Sequence, residues 1–364
     1  MTTGIVLPRK DSGGGCSNLW RTARTLGWMV TTLLTFGEIT TVAAAAHAFY
    51  TNPIGSSITM GDPFILVDGH RFILYGTTAV NEGFKCWTTT NLVDWSERGF
   101  AYRKSTTSWA GNTFWAPEVI HYRDRYYMVF SAQPSTNRSF STRICLAASD
   151  RPEGPFHDSH APLFDNGWSC IDGHIFVDND GTPYLYFDKV GVTNSSSRRY
   201  LSGLVYGVRL KSDLSGIDGK PVLCVQADQP WELPENGRSR CNEGSFVFRH
   251  AETYYMTYSA NHYAEPFYGI GYATAPSPLG PWKKSAANPL VSQKPELGIS
   301  GPGHNCVIKS PDGTELFVVY HTHADPAKPG GGRVVNLDRL IVRADGGLQF
   351  AGPTRSPQPL PSGL

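Results

Sequence analysis

The sequence predicts an all-β protein organised as a single five-bladed β-propeller. Gly (38 residues) and Pro (26) are abundant and aromatics make up 12% of the chain, a composition suited to many short strands separated by turns. One hairpin pattern recurs five times along the chain. A second, outer element follows it in several of the repeats, and helical periodicity is nearly absent after residue 49.

The chain has 364 residues, a length that admits one large domain or two ordinary ones. The repeat favours one, because units of about four strands cannot bury their faces alone and must stack around an axis. A β-sandwich is the competing architecture, but it has no reason to repeat both elements in order. Charged residues are 17% and the formal net charge is +1, with no block of like charge. This excludes electrostatic attraction to nucleic acid or an anionic membrane and points to a neutral partner.

Residues 1–48 differ from the rest. Arg21 and Arg24 precede an apolar run over 26–34, and a string of alanines ends in Ala46-His47-Ala48. These are the parts of a secretory signal peptide cleaved after Ala48, which implies a secreted or periplasmic protein. Residues 26–48 are also near the length needed to span a bilayer, so an uncleaved anchor is the competing reading, and membrane association follows only from it. Residues 49–364 then form the propeller.

The hairpins begin with FILVDGHRFILYGTT at Phe64. They continue with VIHYRDRYYMVFSA at Val119, HIFVDNDGTPYLYFDK at His174, SFVFRHAETYYMTYSA at Ser245 and CVIKSPDGTELFVVYHTH at Cys306. Matching Tyr75, Phe130, Phe187, Tyr258 and Tyr320 gives a repeat of roughly 55 to 70 residues, of propeller type. Outer strands with an aromatic plug end at Trp95, Phe156 and Trp282. The acidic turn Asp178-Asn179-Asp180-Gly181 reads as a hairpin rather than a calcium loop, because the downstream ligands are missing.

In a propeller the first strand of every blade lines the central channel, so residues at the strand starts meet at one mouth. That position reads Asp62 in GDPF, Pro117-Glu118 in WAPEV, Asp172 in IDGH, Glu243 in NEGSF and Gly303-His304-Asn305 in GPGHN. Acids crowded into one mouth repel each other, so at least one retains its proton near neutral pH. One ionised and one protonated carboxyl group is the pair that glycosidic cleavage requires.

These motifs, in this order and at blade spacing, resemble glycoside hydrolase family 43 over residues 60–346. The resemblance implies a five-bladed propeller that hydrolyses arabinose- or xylose-containing polysaccharides or oligosaccharides with inversion. It implies Asp62 as general base, Glu243 as general acid and Asp172 as the carboxylate that tunes and positions the acid. Gly173 and Ser245 stand where the family usually has proline, a difference that bears on subsite shape rather than chemistry. α-L-Arabinofuranosidase is the first expectation for activity, with β-xylosidase and endo-arabinanase as alternatives. A non-catalytic carbohydrate-binding propeller would not need three acids in register, and a sucrose-type enzyme would carry a W-M-N-D-P-like start that is missing.

Trp115 and Trp168 flank mouth positions and can stack on sugar rings or pack between blades. Arg333 matches by register an arginine that in the family reaches the pocket. Strand alternation puts Arg339 on the same face and does not separate the two. His304 occupies the fifth mouth position. Some relatives hold an axial calcium ion on a histidine and waters, so the resemblance admits a structural calcium there, although no cofactor is required. His321 and His323 read as ordinary blade residues. After removal of the leader six cysteines remain, and Cys170 and Cys241, each two residues before a mouth acid, are candidates for a bridge. The expected partner is a neutral saccharide, bound by a monomer.

Overall fold

Alternating apolar and small residues flanking short Gly-, Asp- or Asn-bearing turns become antiparallel strands, as the repeat predicts. The computed structural model describes residues 48–134, 141–194 and 199–364; the leader reading lies outside the described residues. Among them there is no α-helix, only two 3₁₀ turns of three residues each. Strand β1 is Phe49–Tyr50. The first four-stranded sheet comprises β2 (Gly61–Asp68), β3 (Arg71–Thr77), β4 (Gly83–Thr89) and β5 (Ser96–Arg103). The second comprises β6 (Ala110–Tyr122), β7 (Arg125–Pro134), β8 (Arg143–Ser149) and β9 (His157–His160).

The third unit is β10 (Ser169–Val177), β11 (Pro183–Asn194), β12 (Arg199–Arg209) and β13 (Val222–Gln226). The fourth is β14 (Ser239–His250), β15 (Thr253–Ala260), β16 (Gly269–Ala275) and β17 (Lys283–Lys284). A short parallel pairing between Leu201–Gly203 of β12 and Ser239–Cys241 of β14 joins these two into one larger sheet. The fifth unit is β18 (Gly303–Lys309), β19 (Leu316–His323), β20 (Arg333–Val342) and β21 (Leu348–Phe350), and β22 (Gln358–Pro359) pairs with β1. The loop 178–182 closes the β10–β11 hairpin, with Val177 opposite Pro183.

The apolar clusters lie between successive units. Val129, Ile144 and Leu146 of the second pack on Ile175, Leu185 and Phe187 of the third. Tyr186 and Val205 pack on Val247 and Met256 of the fourth. Tyr255 and Ile270 pack on Val318 and Leu340 of the fifth. Phe317, Val319 and Val335 of the fifth join Phe72, Ile73 and Leu74 of the first and Phe114 and Phe130 of the second. Each sheet therefore buries both faces against neighbours, at roughly 1.5–3 kcal/mol per fully buried large side chain.

One detail of the repeat is corrected. Phe130, Phe187, Tyr258 and Tyr320 each precede by one the second-strand residue opposite the start of the bulge, but Tyr75 does not. Thr77 pairs with Gly61 as Ser131 pairs with Trp115, so Gly76 holds the aromatic position in the first unit. A side chain there would collide with Met60, whose Sδ lies 2.6 Å from an ideal Cβ.

Candidate active site

The site is built by an irregularity that recurs in every first strand. The ladder slips by one residue after Gly61, Trp115, Ile171, Glu243 and Gly303. The next residue in each case has a left-handed backbone: Asp62 (φ 52°), Ala116 (45°), Asp172 (57°), Gly244 (57°) and His304 (47°). Such a bulge re-aims a side chain out of the strand's alternation. For a non-glycine residue it costs roughly 1–3 kcal/mol, tolerated only where the surroundings enforce it.

The enforcing contact is also repeated. The amide of Ala116 donates to Thr77 Oγ1 at 2.9 Å, that of Asp172 to Ser131 Oγ at 2.8 Å and that of Gly244 to Asp188 Oδ2 at 2.8 Å. The His304 amide donates to Ser259 Oγ at 2.7 Å and that of Asp62 to His321 Nδ1 at 3.2 Å. Every acceptor stands on the second strand of the preceding unit, and the last of these bonds returns from the fifth unit to the first.

Asp62, Asp172 and Glu243 come together on one cavity of about 610 Å³, with Trp115, His304 and Arg333 also in its lining. Asp62 and Asp172 sit on the bulge residue itself. Glu243 sits one position earlier, so the three acids share a mouth but not a register; Gly244 takes the bulge. Its Cβ would meet His304 Nδ1 at 2.9 Å, which explains a glycine here.

The electrostatics of the acids diverge. Burial pushes Asp62 upward. Arg333, then His304 and His321, and the Thr77 hydroxyl outweigh it and hold the carboxyl well below the usual carboxylate range. Arg333 Nη1 donates to Oδ1 at 2.7 Å and Thr77 Oγ1 to Oδ2 at 2.6 Å. Gly61 permits this approach, since a Cβ there would lie 1.9 Å from the guanidinium carbon. Burial pushes Glu243 up to about 7, helped by Asp62 and opposed by Tyr268 and Arg333. Tyr268 Oη donates to Glu243 Oε1 at 2.8 Å. Burial, then the charges of Glu243 and Asp62, push Asp172 well above the usual range. Burial lowers His304, whose Nδ1 lies 3.4 Å from Asp62 Oδ1 and 3.8 Å from Asp172 Oδ2. A neutral imidazole thus separates the carboxyl groups.

This is one carboxylate anchored by an arginine and one buried carboxyl group raised to about 7 on a shared cavity, and a sequence model gives the arrangement a lineage. The model for "Glycosyl hydrolases family 43" matches residues 50–348. The chain belongs to this family. It is therefore an enzyme acting on O-glycosyl bonds. A solved thermostable family-43 glycoside hydrolase is 49% identical with a TM-score of 0.80, covering 86% of this chain and 100% of that one. A β-D-galactofuranosidase of Aspergillus niger is 24% identical over 277 residues, 72% of each chain. An arabinoxylan arabinofuranohydrolase of Paenibacillus polymyxa is 25% identical over 292 residues, 72% of this chain but 42% of that protein.

Other expected residues divide. Trp115 reaches the cavity, whereas Trp168 does not: its ring packs 5.0 Å from Tyr206, with Lys189 Nζ 4.1 Å above it. Arg339 pairs with Glu315 at 2.8 Å. It shares a face with Arg333, but six residues of strand separate them by roughly 20 Å at about 3.3 Å per residue. Cys170 and Cys241 are free thiols. Among the described residues no group of three or more His, Cys, Asp or Glu side chains is arranged to hold a metal ion. His304 turns Nδ1 toward Asp62, 3.4 Å from its Oδ1.

Sequence reasoning missed His321, Tyr268, Thr77 and Asp188. His321 reads in the sequence as an ordinary blade residue, yet its Nδ1 accepts the Asp62 amide. Its matched position with Thr77, Ser131 and Ser259 was the available signal, since each is a polar side chain opposite the start of a bulge.

Proposed function

We propose that this chain is an inverting glycosidase on a five-bladed β-propeller that removes terminal α-L-arabinofuranosyl residues from plant polysaccharides or oligosaccharides. Asp62 acts as general base on water, Glu243 as general acid on the leaving oxygen, and Asp172 holds and tunes the acid. The observation that carries this reading is the opposed protonation of the two groups: Asp62 is held ionised by Arg333 while Glu243 sits at about 7. A base must be unprotonated and an acid protonated at the same pH, and the two environments push the groups apart in that sense.

Five units bonded in sequence, with the fifth returning to the first, support the propeller. Furanose removal agrees with the names of the two curated relatives above. A cavity of about 610 Å³ whose lining includes Val190, Val192 and Leu201 of β11–β12 and the loop residues Asn261, His262 and Tyr263 supports a terminal sugar over a long chain. The leader-like sequence of residues 1–48 supports secretion, as do two relatives whose names call them extracellular. No helix among the described residues is long and apolar enough to cross a membrane.

Aryl α-L-arabinofuranoside, β-xyloside and β-galactofuranoside, together with arabinan, arabinoxylan and xylan, form the test panel. The expected outcome is monomeric arabinose released with inverted anomeric configuration by NMR. Glu243→Gln should lower kcat on natural linkages by about 10²–10⁴-fold. Retained configuration would remove Asp62 as base. Preferential xylose release would establish the β-xylosidase alternative.

A further inference from the structure

The cavity is backed by a fourth carboxyl group that the mechanism above does not use. Asp188 lies on β11 at the position that Thr77, Ser131, Ser259 and His321 occupy in the other units. Like them it accepts the bulge amide of the next unit, here Gly244 N–H to Oδ2 at 2.8 Å. A hydroxyl suffices for that task in three of the five units. Asp188 is wholly sealed from solvent, and its other oxygen, Oδ1, is buried without a hydrogen-bond partner. An ionised oxygen left so costs several kcal/mol.

A proton on Oδ1 removes that cost if an acceptor is within reach, and the Asp172 carboxyl lies within hydrogen-bonding reach of Asp188. Two carboxylates in contact do not both ionise; the pair retains one proton. Burial pushes both groups well above the usual range, but the bond between them lowers Asp172 and raises Asp188; Asp172 also lines the cavity and Asp188 does not, so the pair's one charge belongs on Asp172 and its proton on Asp188. The titratable groups facing the pair are Asp62 on β2, Glu118 on β6, Cys170 on β10, Glu243 and Cys241 on β14, Tyr268 just before β16 and His304 on β18. None of these is a lysine or arginine, burial lowers the imidazole's pKa, and Arg333 engages Asp62 instead.

We propose that Asp188 is a positioning residue that works as the neutral acid: Oδ1–H donates to the Asp172 carboxylate while Oδ2 accepts the Gly244 amide. One side chain thereby fixes both the backbone that presents Glu243 and the carboxylate beside it. The proposal rests on Glu243 being the acid only for its effect on rate; the protonation state is independent of that reading.

Asp188→Asn is an isostere of the protonated acid, with a carbonyl to accept and an NH₂ to donate. It should keep kcat within a few-fold and leave the alkaline limb of kcat/KM unmoved. If Asp188 were ionised in the working enzyme, the same change would remove a negative charge beside Glu243. The acid's pKa would fall, the alkaline limb would move down by a unit or more, and the proposal would be overturned. Asp188→Leu removes both bonds and should lower kcat by about 10²-fold with little change in KM. Infrared difference spectra of Glu243→Gln against Glu243→Gln/Asp188→Asn give a readout without activity. A protonated-carboxyl carbonyl band at neutral pH, present in the first and lost in the second, is expected; a carboxylate band lost instead refutes the proton on Asp188. Full activity in Glu243→Gln would defeat the acid assignment while leaving the infrared result standing.

Discussion

At the scale of the residue, the two carboxyl groups proposed as base and acid are set by different contacts, and each contact has its own pH signature. Arg333 lowers Asp62, so Arg333→Met should raise the base's pKa and move the acidic limb of kcat/KM upward. Lost positioning should add a fall in rate of about 10²-fold. Tyr268 acts in the opposite direction from intuition. Its hydroxyl donates to Glu243 and favours the ionised form. Tyr268→Phe should therefore raise the acid's pKa and extend activity to higher pH, visible as an alkaline limb displaced upward from about 7. A displacement downward would mean that the tyrosine stabilises the protonated acid instead. Neither contact was legible in the sequence. Tyr268 lies in the loop before β16, which carries no motif, and it reaches Glu243 because Gly303 leaves room: a Cβ there would lie 2.0 Å from the tyrosine ring.

At the scale of the element, the bulge with its captured amide is the unit that turns five strands into one site. Ala116 adopts the same left-handed conformation as Asp62 and Asp172 although it carries no chemistry, so the strain belongs to the strand geometry and the acids exploit it. Ser131→Ala should leave the buried Asp172 amide without an acceptor and cost about 1–3 kcal/mol of unfolding free energy, measured by denaturant titration. Loss of activity should accompany it, because Asp172 is freed at the same time. This element explains how much the sequence disclosed. The hairpins were readable because turn chemistry and apolar alternation are local. The acids' convergence was readable because the repeat aligned their motifs. The one-residue offsets at Gly76 and Glu243 were not, since a bulge inserts a residue without any compositional mark. Trp168 and the Cys170–Cys241 bridge failed for a related reason: proximity to a mouth residue in sequence says nothing about which face of the sheet a neighbour occupies.

At the scale of the whole molecule, the fifth unit is joined to the first through the site itself. Arg333 donates to the Asp62 carboxylate and His321 accepts the Asp62 amide, while β1 pairs with β22 beyond the two units, so the proposed base depends on the junction between the two ends of the repeat. Burial, with Arg333 second, holds His321 well below the ordinary histidine range. The unfolded chain takes up this proton first as pH falls, at about pH 6.5. Stability tied to neutral His321 is therefore present above that pH and is lost below it. His304, lowered by burial in the same way, adds to the effect. His321→Gln supplies a side-chain oxygen for the Asp62 amide without titrating, and should weaken the decline in denaturant midpoint between about pH 7 and about pH 5. His321→Leu leaves the amide orphaned and should cost about 1–3 kcal/mol at both pH values. If the glutamine variant declines as steeply as the parent, the acid sensitivity resides elsewhere than at this junction.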